Sequence, residues 1–314
     1  MSDILAPIDF EQESNTSWIP HIQVTTGEKA YSLTDTLPGH IFEWLYEYVR
    51  SDAIQISKTH PVLQWHFNAG QELVPGVILK SIFLALMKYN IKQITTPKIT
   101  FLNMCFPGDI LHYDQARKTL IAERKQWPVE IARIEDSMIA LYIPHHFQDE
   151  EPNFQHTTLS EESLEKHLPQ KPPFRFINGY IDRESSSDNK KPWADFTTIW
   201  YVDSYLDVSR ETVEEAAAQA ISYHLSSKNN PDGYKKGAIL TYESSHVITY
   251  QHAIEELRSG DAVTTYGYLH ADYIEYQVVN HRRHAILAEG IITGKKIKWK
   301  LFERIYNITK NTTN

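Results

Sequence analysis

Two short stretches of the sequence hold residue types suited to proton transfer. Residues 66–76 read HFNAGQELVPG, in which Gly70 and Pro75 follow His66 at four and nine residues, and residues 215–219 read EAAAQ. Glu215 and Gln219 are one helical turn apart and therefore share a helix face. Histidine titrates near neutral pH, and a carboxylic acid buried among apolar groups keeps its proton to higher pH. Such a pair can remove one proton and deliver another.

Other familiar chemistries have no support in the sequence. It contains no GxGxxG, Walker, HExxH or GxSxG motif. The single cysteine, Cys105, excludes an intramolecular disulfide and a cysteine-based zinc site. The remaining histidines lack partners at ligand spacing, so no metal is predicted.

The same order of elements occurs twice along the chain. Pro75 and Gly76 open an apolar helix that extends to Met87, and Ser209 is suited to cap a helix over residues 210–226. Each helix is followed by strand-like segments, with a Gly-Asp turn before the second segment. These segments are residues 98–104, 110–114, 119–124 and 138–143 in the first half, and residues 245–251, 262–269, 275–279 and 285–293 in the second. Strands grouped after a helix favour an antiparallel α+β fold.

A proline-rich stretch divides the two halves. Apolar periodicity fades there, which predicts a first domain over residues 1–148, a linker over 149–171 and a second domain over 172–314. Residues 40–51 show an amphipathic pattern that predicts a helix packed on the core. His66 is expected in an extended or turning segment, and residues 226–233 are expected to form a surface loop.

Composition narrows the class of protein further. The 314 residues include 31 Lys and Arg against 40 Asp and Glu, for a net charge of -9, which does not favour nucleic acid or anionic lipid as a partner. The longest apolar stretch, residues 77–87, is too short to span a bilayer. The N-terminus has no basic segment before an apolar one, so a cytoplasmic location is expected.

These motifs resemble a known family. HxxxGxxxxP in the first half and an acidic-xxx-Gln motif in the second resemble the double hot-dog dehydratase domains of polyketide and animal-type fatty acid synthases. Pro173 to Ile177, PFRFI, and the turn at residues 107–109 resemble the related 3-hydroxyacyl-carrier-protein dehydratases. The resemblance implies a tandem hot-dog fold, in which each antiparallel sheet wraps a central helix.

The resemblance also implies how the site is divided. The stand-alone enzymes carry histidine and acid on one unit, whereas here the acid position of the first helix is Ser81 and the expected histidine of the second half falls near Tyr201. A pseudo-dimer would keep one complete site, with His66 as base and Glu215 as acid. Glu214 is the alternative if the register is off by one.

The function implied is dehydration of 3-hydroxyacyl thioesters carried on the phosphopantetheine arm of an acyl carrier protein, without a metal or organic cofactor. Gly70, Pro75, Gly76 and Gln219 would surround the substrate, and the Gly76 N–H would bind the thioester carbonyl. A lysine run (Lys295, Lys296, Lys298 and Lys300) is typical of the solvent-exposed face of an edge strand. Either this run or the pair Arg282 and Arg283 is also suited to dock an acidic carrier.

Less specific interpretations remain open. Taken alone, His66 is typical of a histidine bonded to a backbone partner, and Glu215 falls opposite the apolar stripe of its helix, where only a facing second domain would bury it. The same scaffold supports thioester hydrolysis, with Glu215 activating water, or an acyl-chain or carrier-binding module without activity. The oligomeric state is open between a monomer and a homodimer.

Overall fold

A computed structural model of the protein describes residues 45–66, 72–88, 97–125, 127–135, 158–182, 194–202 and 208–313. Their strands form one twelve-stranded antiparallel sheet, in the order β1-β2-β4-β5-β6-β3-β9-β12-β11-β10-β8-β7. The strands are β1 (Tyr46–Arg50), β2 (Ala53–Ile56), β3 (Lys98–Phe101), β4 (Ile110–Asp114), β5 (Thr119–Glu123), β6 (Val129–Glu135), β7 (Gly179–Asp182), β8 (Phe196–Tyr201), β9 (Ala238–Thr249), β10 (Ala262–Leu269), β11 (Ile274–Asn280) and β12 (Ala285–Lys298).

The sheet order separates the strands of the two halves of the sequence. Strands β1 to β6 occupy one side of the order and β7 to β12 the other. The two sets join where β3 pairs with β9, through Ile99 opposite Ser245 and Thr100 opposite Ser244. A single continuous sheet therefore connects the segments that carry the two sequence motifs.

The described residues contain six helices, of which two are central to the site. They are α1 (Pro61–His66), α2 (Gly76–Leu86), α3 (Glu161–His167), α4 (Arg210–Asn229), α5 (Gln251–Glu255) and α6 (Trp299–Thr313). Helix α2 is buried along most of its length, and it contacts α4. Helices α2 and α4 are buried on most sides, because each packs against the other and against the sheet.

Local sequence explains where α2 and α4 begin. Pro75 precedes α2, and its carbonyl accepts hydrogen bonds from the N–H groups of Ile78 and Leu79. Ser209 caps α4 by accepting from the Thr212 N–H, while the Thr212 hydroxyl accepts from the Ser209 N–H. This reciprocal capping box satisfies backbone donors that the first turn of a helix leaves without partners.

Most predicted elements are confirmed. Helices α2 and α4 occur where expected, β4 and β10 match residues 110–114 and 262–269, and β3, β5, β9, β11 and β12 overlap the other predictions. Residues 138–143 and Gly70 lie outside the described residues. The predicted boundaries of the domains and linker stay predictions, although α3, within the predicted linker, packs against α4.

Three local predictions are wrong. The described part of residues 40–51 contains β1 rather than a helix, because Tyr46 and Tyr48 pair with Ile56 and Ile54 of β2. His66 ends helix α1 instead of lying in an extended segment. Helix α4 continues to Asn229, so the loop expected at residues 226–233 begins only at Asn230. Asn230 itself is buried beside β9 and bonds Ala238.

Within the described residues, no helix is both long and apolar enough to cross a membrane.

Candidate active site

His66 lies at the C-terminal end of α1 in an apolar environment. Its ring meets the ring of Phe174 edge-on, with centroids 5.6 Å apart and an interplanar angle of 77°. Burial lowers the pKa of His66 to about 4, and a hydrogen bond to the Leu73 backbone opposes that shift only in part. The imidazole is therefore neutral near pH 7 and able to accept a proton.

Glu215 is buried in the second turn of α4, with 3% of its surface exposed. Burial raises the pKa of its carboxyl to about 7, and hydrogen bonds from Gln219 and Gln170 oppose the shift. The sequence alone left this side chain on the polar side of its helix. The side chain is nevertheless buried on the helix that packs against α2, and the carboxyl consequently holds its proton close to neutral pH.

Gln219 connects the carboxyl to the segment that contacts the histidine. Its Nε2 donates to Glu215 Oε1 at 3.0 Å and to the Phe174 carbonyl at 3.1 Å, and its Oε1 accepts from the Phe176 N–H at 2.8 Å. All three bonds are to protein groups, so Gln219 positions Glu215 rather than offering its amide to a ligand. Phe174 contacts His66 through its ring and Gln219 through its carbonyl.

The segment before Phe174 ties the two motifs together. The Lys171 N–H donates to the carbonyl of Trp65, the residue before His66, at 2.7 Å. Arg175, a buried guanidinium, donates to the Gln170 carbonyl at 3.0 and 2.9 Å and to Glu161 at 2.5 Å. Gln170 also hydrogen-bonds Glu215. This segment therefore contacts both the helix that ends at His66 and the side chain of Glu215.

His66 and Glu215 line the same cavity, which has a volume of about 770 Å³. Its wall also contains Gly76, Gln170 and Tyr242. A cavity of this size holds a small-molecule ligand. An imidazole and a carboxyl from distant parts of the sequence therefore line one ligand-sized space, which is a first condition for their acting on the same ligand.

The other predicted site residues are placed as follows. Gly76, the first residue of α2, lies in the cavity wall, and a Cβ at this position would come within 3.2 Å of the Tyr242 ring. Its N–H belongs to the first helical turn, where N–H groups have no intrahelical acceptor. Pro75 starts the same helix, but neither it nor Gln219 belongs to the wall.

Glu214, the alternative acid, has a different environment. It forms buried ion pairs with Lys80 at 2.7 Å and Arg210 at 3.0 Å, and these two cations lower the pKa of its carboxyl. It does not line the cavity. Ser81, the position of the missing acid in the first half, donates to Glu211 at 2.5 Å. The contact between α2 and α4 thus holds a charged cluster, and of the two adjacent glutamates only Glu215 faces the cavity.

Sequence reasoning missed Gln170 and the contact role of Phe174. Gln170 lies in the stretch interpreted as a linker, three residues before the PFRFI segment that carries the family resemblance and that forms no strand in the structure. Its Oε1 is buried and accepts no hydrogen bond among the described residues. Those residues also include no group of three or more His, Cys, Asp or Glu side chains arranged to hold a metal ion.

No protein-family model and no curated protein sequence matches the chain. Solved structures do match. The dehydratase domain of the CurJ module of curacin polyketide synthase aligns with a TM-score of 0.50 and 14% identity, over 81% of this chain and 96% of that domain. The dehydratase domain from the terminal module of the rifamycin polyketide synthase has a TM-score of 0.50 and 10% identity, over 82% and 98%. The CurK dehydratase domain has a TM-score of 0.50 and 8% identity, over 85% and 98%.

This similarity establishes the fold. The chain resembles polyketide synthase dehydratase domains, which have the double hot-dog fold, and the family resemblance predicted from the motifs is confirmed at that level. The large antiparallel sheet with buried helices is consistent with a hot-dog fold.

Proposed function

We propose that this protein is a dehydratase that converts 3-hydroxyacyl thioesters into 2-enoyl thioesters, on two hot-dog units arranged in tandem. One observation carries the proposal: a neutral imidazole and a protonatable carboxyl, contributed by the two halves of the chain, line one cavity. The fold of the dehydratase domains supports it. Neither a metal nor an organic cofactor is required.

In this reaction His66 removes a proton from C2 of the acyl chain. The electron pair of that C–H bond forms the C2–C3 double bond as the C3–O bond breaks, and Glu215 donates its proton to the departing hydroxyl, which leaves as water. The Gly76 N–H donates to the thioester carbonyl and stabilises the negative charge that develops there. Gln219 and Gln170 hold the carboxyl in place. Proton transfer from the imidazolium back to the carboxylate, through water, restores the starting state.

The direct test incubates the purified protein with a 3-hydroxyacyl thioester of a short pantetheine analogue. The 2-enoyl thioester is expected as product, with one water lost per turnover. Formation of free acid and thiol would instead identify a thioester hydrolase. Tight binding of the thioester without turnover would identify an acyl-binding module.

The two pKa values predict the pH profile of kcat/KM. His66 must be unprotonated, which holds above about pH 4, and Glu215 must be protonated, which holds below about pH 7. We expect a plateau between these values and a tenfold loss for each pH unit above it. Glu215→Asp should move the upper limb while leaving the lower limb in place. A profile that rises through pH 8 would contradict the assignment of Glu215 as the acid.

We propose further that the substrate is delivered by an acidic acyl carrier protein in the cytoplasm. Lys295 and Lys296 are exposed residues of the cavity wall. They lie beyond Ile292, the last residue of β12 that pairs with β11, so this part of β12 has β9 on one side only. Four more exposed lysines lie nearby in the chain or just before β9, the strand that pairs with this part of β12: Lys235, Lys236, Lys298 and Lys300. None of these six lysines pairs with a carboxylate of the described residues.

Reversing two of these charges should separate carrier binding from catalysis. The double variant Lys295→Glu/Lys296→Glu is expected to raise KM for a carrier-bound substrate by about tenfold at low salt, and to leave kcat/KM for the pantetheine analogue nearly unchanged. Steady-state kinetics at two ionic strengths checks this. Lys58→Glu/Lys118→Glu makes the same change in net charge at exposed lysines that do not line the cavity and should have little effect. Equal losses in both double variants would show that only net charge matters.

A further inference from the structure

The C-terminal helix α6 packs beside the cavity on an apolar cluster of its own. It follows β12 directly, with no intervening loop. Trp299, Phe302 and Tyr306 are buried on one face and pack against four residues outside the helix (Leu73, Phe106, Tyr234 and Ile239). This cluster is separate from the main core, which encloses α2 and α4. Helix α6 therefore forms part of the cavity wall and packs on a cluster separate from the main core.

A second stripe of α6 faces the cavity. Phe302, Ile305 and Thr309 all line it, and their spacing of three and four residues places them along one helix face. Ile305 is 38% exposed and lines the cavity, whereas Leu301 and Ile308 are 51% and 57% exposed and do not line it. The helix thus presents bulky apolar groups to the ligand space while its neighbouring apolar residues meet solvent.

Leu73 links helix α6 to His66. The Leu73 side chain packs in the α6 cluster, and the Leu73 backbone hydrogen-bonds His66. Lys310, near the end of α6, pairs with Glu72 at 3.4 Å. A chain whose C2 and C3 atoms lie at His66 and Glu215 would therefore have α6 as a nearby boundary.

We propose that α6 sets the size of acyl chain that the cavity accepts, with Phe302 and Ile305 as the residues that determine specificity. The inference rests on the proposed function for its substrate class. The wall of the cavity along α4 is fixed by the main core, whereas α6 contributes long side chains from a separate cluster. Changing the volume of a cavity-facing α6 residue should consequently change chain-length preference without rebuilding the catalytic pair.

The test compares two isoleucines three residues apart on this helix. Ile305→Trp adds volume towards the cavity, whereas Ile308→Trp adds the same volume towards solvent and is the matched control. We expect Ile305→Trp to lower kcat/KM for long 3-hydroxyacyl thioesters by about tenfold to a hundredfold and to spare the shortest ones, because each excluded methylene forfeits roughly a fourfold gain in affinity. Ile305→Ala should shift the preference towards longer chains. Thermal unfolding of each variant checks that it folds.

Binding measured without turnover separates this inference from the proposed function. Calorimetry with saturated acyl thioesters, which have no 3-hydroxyl to eliminate, should show the same loss of long-chain affinity in Ile305→Trp and none in Ile308→Trp. If this binding pattern appears but the protein dehydrates no 3-hydroxyacyl thioester, the proposed role of α6 is supported and the dehydratase proposal fails. If the protein dehydrates 3-hydroxyacyl thioesters but Ile305→Trp affects every chain length equally, or matches Ile308→Trp, the role of α6 is overturned.

Discussion

His66→Phe is expected to reduce dehydration by about a hundredfold to ten-thousandfold while the protein stays folded, since a positioned general base contributes a factor of this size. The phenylalanine ring retains the edge-on contact with Phe174 and loses only the nitrogens. No charge is lost, because burial already keeps the imidazole neutral near pH 7. Initial rates of enoyl thioester formation, together with thermal unfolding, measure the two effects separately.

Glu215→Gln should cause a loss of comparable size, because the amide cannot donate a proton to the leaving hydroxyl. The variant should fold well: Gln170 can turn its carboxamide and offer its Oε1, which accepts no bond among the described residues, to the new N–H group. If the two residues act in one step, the double variant should be scarcely slower than either single variant. Strictly additive losses, or full activity in either single variant, would remove the pair from the mechanism.

The sequence could predict the elements whose local and tertiary preferences agree. Helix α4 has a capping box at Ser209, and α2 has a proline start and a continuous apolar face, so both helices were predictable from residue types and spacing. Segment 40–51 shows the opposite case. Its helix-like periodicity yields to pairing of β1 with β2, because side-chain packing across a ladder overrides local propensity.

The motifs of the candidate site could be predicted from the sequence, but the residues that hold His66 and Glu215 in place could not. His66 and Glu215 stand in recognisable patterns, but the burial of Glu215 depends on contact between halves of the chain that no local pattern reports. Gln170 was hidden for the same reason: it lies in a proline-rich stretch, and its role arises from a hydrogen bond to a helix about 45 residues later in the chain. Periodicity within one element cannot show what another element places against it.

The two adjacent glutamates of α4 show why the register matters. Successive residues of a helix point about 100° apart, so Glu214 meets Lys80 and Arg210 while Glu215 meets the cavity, although each is only 3% exposed. The folded state lowers the pKa of Glu214 and raises that of Glu215 to about 7. The first carboxylate therefore stabilises the fold as an anion, whereas the second, once ionised, destabilises it.

Opposite effects on stability are therefore expected from one and the same substitution at neighbouring positions. Glu214→Gln removes the carboxylate that forms ion pairs with buried Lys80 and Arg210, leaves Lys80 only the weaker interaction with Glu211, and should lower the free energy of unfolding by about 3–5 kcal/mol at pH 7. Burial already lowers the pKa of Lys80 to about 8. Because the unfolded state then binds more protons than the folded state, the variant should regain stability as the pH rises from 8 towards 10.

Glu215→Gln is the matched control, and its pH dependence has the reverse sign. The folded pKa of Glu215 is about 7 and its ordinary value 4.5, so the wild type loses stability as the pH rises through that interval. Removing the ionisable group should leave the variant about 3 kcal/mol more stable than wild type at pH 8, and nearly equal to it at pH 4. Denaturant unfolding at the two pH values measures both variants. If Glu214→Gln proves the more stable of the two at pH 8, the electrostatic roles assigned to these carboxylates are reversed, and the choice of Glu215 as the acid fails with them.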